Sequence, residues 1–169
     1  SFLIAGAALI AASLPPMSHA TLTIKITQGL EGAQPIAIVP FGIDTGAPPP
    51  PEDIAQIISN DLTRSGRFSP LPTGDLPSRP SVATAVNFSD FRILGTPNLV
   101  IGRVKRLANG QFKVEFRLFD VFRGAQLTGY ELDARPDELR RLAHQMSDII
   151  YKALTGERGA FDTRIAYVT

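Results

Sequence analysis

Few side chains in this sequence have strong chemical reach. Cys is absent, which excludes thiolate nucleophiles, thiolate metal sites, disulfides and an acylated cysteine. Of the 2 His, His144 is the one with charged neighbours at helical spacing: Arg140, Arg141 and Asp148. An imidazole there could move protons. The spacing sets it on the polar side of a helix, where a solvated surface histidine is expected. Adjacent carboxylates occur at Glu52-Asp53 and at Asp137-Glu138. Paired carboxylates suit general acid–base work, but both pairs stand where a helix is predicted to begin, and the helix dipole favours negative charge there. The chain has no GxSxG, no GxGxxG and no phosphate-cradling GxxxxGK. No His and carboxylate spacing suggests a metal site. The residues therefore point away from catalysis, with no catalytic, cofactor-binding or metal residue to name. With 17 Lys and Arg against 16 Asp and Glu, interspersed to a net charge of +1, no basic face for nucleic acid is expected.

The elements that would hold these groups read as follows. Thr21 to Thr27 alternates Leu22, Ile24 and Ile26 with polar residues, the period of a strand. Gln28 to Ala33 is a flexible link carrying Gly29 and Gly32. Ile36 to Val39 is a buried strand that Pro40 ends. Asp44 to Pro51 is a stiff proline-rich loop. Residues 52–65 form a helix with Ile54, Ile57, Ile58 and Leu62 on one stripe and Gly66 as its stop. Phe68 to Leu71 returns as a strand, which predicts a parallel βαβ crossover. A short helix over 89–94, with Ser89 as cap, precedes a buried strand at 99–104. Asn109-Gly110 predicts a hairpin, followed by alternating strands to Asp133. The helix from Pro136 to Leu154 carries an apolar stripe of Leu139, Leu142, Ala143, Met146, Ile149, Ile150, Ala153 and Leu154. The fold class expected is mixed α/β: one mixed sheet packed by two main helices, a βαβ unit, then a β-meander and a C-terminal helix.

Both ends of the sequence carry their own signals. Residues 2–14 are almost wholly apolar, Pro15-Pro16 interrupts, and Ser18-His19-Ala20 fits a small-x-small cleavage site. The run is too short for a membrane span, and residues 1–20 are expected to be a signal peptide lacking its basic n-region. At the other end, Thr163 to Thr169 reads as a strand without a partner, expected to be the first of a further unit. The segment Thr21 to Thr27 has two readings from its residues. It can add to another protein's sheet edge or pair within its own domain, and spacing alone favours the second.

Several stretches resemble the amino-terminal domain of the TolB family. They are Leu22-Thr23-Ile24-Lys25-Ile26-Thr27-Gln28-Gly29, Pro35-Ile36-Ala37-Ile38-Val39-Pro40-Phe41, Pro51-Glu52-Asp53-Ile54 and Asp61-Leu62-Thr63-Arg64-Ser65-Gly66-Arg67-Phe68. Leu154-Thr155-Gly156 and Gly159-Ala160-Phe161-Asp162-Thr163-Arg164-Ile165-Ala166-Tyr167-Val168 complete the set, in order along residues 21–169. The resemblance implies a non-enzymatic periplasmic protein of the Tol–Pal system, active in outer-membrane integrity and cell division. It implies a TolA-binding segment over Thr21, Leu22, Thr23, Ile24, Lys25, Ile26, Thr27, Gln28, Gly29, Leu30, Glu31 and Gly32, docking on the C-terminal domain of TolA. The lipoprotein Pal would be bound by a β-propeller that these residues do not include. Gly159, Ala160, Phe161, Thr163, Arg164 and Tyr167 would belong to the interdomain join.

The resulting division is 1–20 signal peptide, 21–34 partner-binding strand and linker, 35–156 α/β domain, and 157–169 connector with the first propeller strand. The family's segment is more acidic than this one, where Glu31 stands alone. Backbone pairing and Leu22, Ile24 and Ile26 are then the expected source of affinity. The alternative is a periplasmic ligand-binding or accessory domain of a propeller-containing hydrolase. A third reading places a small ligand at the loop 42–51.

Overall fold

The strands follow from the alternation of apolar side chains, and the sheet they build is buried on both faces over its parallel half. A computed structural model describes residues 32–44 and 46–163. In β1 (Gln34–Ile38), Ile36 and Ile38 point to one buried face, while Ala37 and the following Val39 point to the other. After α1 (Ile54–Arg64), the strand β3 (Phe68–Pro70) lies parallel to β1, as the βαβ pattern predicts. The chain then crosses by α2 (Phe88–Ile93) to β4 (Asn98–Arg106), also parallel to β1. The strands β5 (Phe112–Asp120) and β6 (Ala125–Ala134) complete an antiparallel meander before α3 (Leu139–Thr155). The order is β3-β1-β4-β5-β6. One mixed sheet, a βαβ unit, a meander and a last helix are what the sequence predicts.

Three details depart from the sequence reading. The loop after Pro40 contains a sixth strand, β2 (Gly42–Ile43), which continues beside β4 at Arg103 and Val104. From Ile38 to Gly42 the chain advances four positions while β4 advances three, so Pro40 acts as a bulge between two pieces of one edge rather than as a stop. The cap of α1 is Asp53, whose carboxylate accepts from the Gln56 N–H at 3.0 Å. It lies just outside the first turn, and Glu52 before it is free to meet α3. The cap of α2 is Asn87, accepting from Ser89 N–H, because Phe88 belongs to the helix and stacks edge-on against Phe119, 5.4 Å between centroids.

Two clusters hold the layers together. Under α1 and α3, Ile36, Val100, Val114, Phe116 and Leu118 meet Ile58, Leu62, Leu139, Met146 and Ile150, all fully buried. Each such side chain contributes on the order of 1.5–3 kcal/mol against its exposed state, before ordering entropy is deducted. On the opposite face, Ala37, Val39, Leu99 and Ile101 are covered by Phe91 and the loop before it. The far half of that face is left to Arg103, Glu115 and Arg117. Burial works against the Glu115 charge, but hydrogen bonds from Arg117 and Arg103 outweigh it and hold the carboxyl below the usual carboxylate range.

Gly102, in the middle of β4, is the tightest point of the helix-side core. A Cβ there would lie 2.5 Å from the Phe41 ring and 2.6 Å from the Glu115 carbonyl oxygen. The ring could shift, but the ladder carbonyl cannot. Gly102→Ala is expected to cost about 2–3 kcal/mol. Chemical denaturation of the domain measures it, and a loss below about 1 kcal/mol would show that the strand pair gives way.

Candidate interaction site

Sequence reasoning names two regions, and the described residues place part of each. Of residues 21–32, only Gly32 is described. It is exposed with φ 103°, a backbone conformation suited to glycine. The rest of that segment, with its predicted strand, lies outside the described residues. Of the interdomain residues, Gly159, Ala160, Phe161 and Thr163 are described, whereas Arg164 and Tyr167 are not.

The described residues that adjoin the two regions share a neighbour in Arg67. The Gln34 N–H donates to the Arg67 carbonyl at 2.9 Å, which starts the sheet two residues after Gly32. The Arg67 guanidinium reaches the Glu157 carboxylate at 3.5 Å, just past the end of α3. The start of β1 and the residues just after α3 therefore both contact Arg67.

The segment after α3 is held closely. Gly156 takes the left-handed conformation, φ 76°, that closes the helix, and its N–H bonds back to Lys152. The chain then doubles back along α3. Asp148 accepts the N–H groups of Phe161 at 2.8 Å and Asp162 at 3.2 Å. Gln145 and Arg141, one and two turns further back, donate to the Asp162 carboxylate at 3.1 and 3.3 Å. Phe161 sets its ring edge-on to Tyr151, which does the same to Phe68.

His144 is a correction. It is no solvated residue, because its side chain is 22% exposed and Nδ1 lies 2.7 Å from Oδ2 of Asp61, whose side chain is fully buried. Arg64 ion-pairs with the other carboxylate oxygen. An ionised carboxylate can only accept, so Nδ1 carries the proton. Asp61 occupies the seventh position after Ile54 on the apolar stripe of α1, and α3 brings His144 across to it. The signal in the sequence was a carboxylate on an apolar stripe, which needs a partner somewhere. A hollow of about 480 Å³ opens beside the pair, rimmed by Asn60, Arg64 and Arg140. Arg140 is bound through two donors to Glu52. Among the described residues, the hydrogen bond to Asp61 is the one that fixes the His144 ring.

The loop 42–51 closes over a smaller hollow of about 240 Å³, lined by Phe41, Ile43, Pro49, Pro50 and Val104 among others. Among the described residues, no group of three or more His, Asp or Glu could hold a metal ion. No helix among them is long and apolar enough to cross a membrane.

Comparison with known proteins bears on the whole chain. Residues 22–127 match the model of the TolB amino-terminal domain. The chain belongs to the TolB family. A Tol-Pal system protein TolB from Thioalkalivibrio sulfidiphilus is 52% identical over 156 residues, which cover 92% of this chain and 36% of that relative. Its counterpart from Nitrosococcus oceani is 50% identical over 154 residues, 91% of this chain and 35% of that relative. The crystal structure of TolB from Acinetobacter baumannii superposes with a TM-score of 0.67 at 34% identity, covering 80% of this chain and 32% of that one. The chain thus spans about a third of the length of these TolB proteins.

Proposed function

We propose that this TolB-family chain is part of a non-enzymatic, periplasmic interaction module of the Tol–Pal system. Residues Thr21–Gly32 dock on the C-terminal domain of TolA by strand addition, in support of outer-membrane integrity and cell division. The observation that carries this reading is the family match over residues 22–127, which takes in most of the docking segment, joined to relatives named as Tol-Pal system proteins. Among the described residues, β1 starts at Gln34 and its hydrogen bonds are made to β3 and β4, which is consistent with that reading. Gly159 to Thr163, with Arg164 and Tyr167, form the join to a following propeller, and Pal is met by that propeller. The hydrolase-accessory alternative has no comparable support.

The test is the affinity of the full-length protein for the TolA C-terminal domain, measured with and without residues 21–32. Unchanged affinity would sink the proposal. A single substitution gives a finer reading. Ile24 is the central apolar residue of the alternating segment, and Ile24→Asp places a charge where the added strand packs. The apolar burial lost with Ile24 is alone worth on the order of 1.5–3 kcal/mol, which weakens TolA binding by at least about tenfold before the charge is desolvated. Lys25→Asp, on the polar side, should change it less, and titration calorimetry separates the two.

A further inference from the structure

We propose that Asp148 and the segment Gly159–Asp162 form a clasp that fixes the direction in which the chain leaves this domain, so that the domain that follows is carried in a set orientation. The inference rests on reading residues 157–169 as an interdomain join. Joined domains move relative to one another by default unless something restrains them, and a segment with two residues between glycines, Gly156-Glu157-Arg158-Gly159, would by composition be a hinge.

The geometry points to the opposite behaviour. Both oxygens of Asp148 are committed to backbone N–H groups of the segment, those of Phe161 and Asp162. Backbone contacts of this kind fix the path of the chain and not merely the position of a side chain. The Asp162 carboxylate is held in turn by Gln145 and Arg141, which extends the contact two turns back along α3. Phe161 leans on Tyr151, and Tyr151 on Phe68 of β3, which ties the segment to the helix-side core. Gly159 lets the chain come this close. A Cβ there would fall 2.3 Å from Asp148 Oδ1 and 2.9 Å from the Asp148 Cα, so no side chain fits without lifting the segment off the helix. Gly159 has no left-handed backbone to account for, and proximity to Asp148 is the whole reason for it.

The clasp also gives α3 a second role. Its inner face packs the sheet through Leu139, Met146 and Ile150, while its outer face, through Arg141, Gln145 and Asp148, carries the exit path. A load on the following domain is then passed to the helix rather than lost in a loose linker.

The experiment uses the full-length protein carrying Asp148→Ala, with Gly159→Ala as a second variant that leaves every core side chain in place. Two readouts are taken: amide exchange at Phe161 and Asp162, and the distribution of distances between a spin label at exposed position 105 and one in the following domain. Both variants are expected to raise exchange at the two amides at least tenfold and to broaden the distance distribution. Exchange unchanged in both variants overturns the clasp. Faster exchange with an unchanged distribution overturns its role in orientation while leaving the join intact. A wild-type distribution already as broad as the variants' does the same. Failure of the join itself is read separately, from a full-length chain with no folded unit after residue 169. If Asp148→Ala does not fold, Gly159→Ala decides.

Discussion

Removing residues 21–32 from the full-length protein is expected to abolish binding to the TolA C-terminal domain and to leave the fold almost unchanged. The second half follows from where the fold starts. Among the described residues, the first sheet hydrogen bond is that of Gln34, and the first core residue is Ile36. Gly32 is exposed. A deletion ending there takes nothing from either cluster among the described residues, so its cost should stay near the ±0.5 kcal/mol of surface changes, about 2 °C in melting temperature. The first half follows from how an added strand binds. Its backbone supplies the ladder, and Leu22, Ile24 and Ile26 supply one apolar face. Each of these side chains, if buried, is worth on the order of 1.5–3 kcal/mol. Losing three of them together with the ladder exceeds what the remaining surface contributes to a complex of ordinary affinity. Calorimetric titration with the purified TolA domain, beside a melting curve of each protein, reads both halves at once. A truncated protein that still binds shows that TolA is met elsewhere, and one that melts far below the parent shows that the segment belongs to the fold.

What the sequence made legible was local. The helix α3 was readable from its stripe and its closing Gly156, although Pro136–Glu138, read as its first turn, forms a separate 3₁₀ turn before Leu139, and Ser147 inside the stripe bonds its hydroxyl back to Ala143. The meander was readable from Phe112, Val114, Phe116 and Leu118 alternating with charges. The short strand β2 was not, because two residues carry no period and its partner lies some 60 positions away in β4. Gly102 gave no warning of the ring that covers it, since Phe41 meets it only after the sheet has formed. Asp148 read as a charged neighbour of His144. Its partners turned out to be backbone N–H groups, and no pattern of side chains reports where a backbone will pass. The family motif Gly159-Ala160-Phe161-Asp162 was visible as a motif, while the reason for its glycine was visible only in three dimensions.

The buried carboxylate is the other place where pattern and structure part, and it yields the largest expected change in stability. His144→Ala should destabilise the domain by about 3 kcal/mol. Asp61 is completely buried and, among the described residues, has two side-chain partners, Arg64 and His144. Removing the imidazole leaves one oxygen of a charged group without its donor in the interior, which costs about 3–5 kcal/mol where water cannot enter. The hollow beside it admits some water, which places the value at the low end. Arg64→Ala is the contrasting case. That side chain is 68% exposed, its pairing is screened by solvent, and water can take its place, so the loss should stay below about 1 kcal/mol. Replacing both members, Asp61→Leu with His144→Leu, removes the charge and its need together. The double variant should be more stable than His144→Ala by at least about 1.5 kcal/mol, because it leaves no unpaired charge in the interior. Urea unfolding of the four proteins measures all three differences. If His144→Ala and Arg64→Ala lose the same small amount, the imidazole is not what holds the Asp61 carboxylate in the interior.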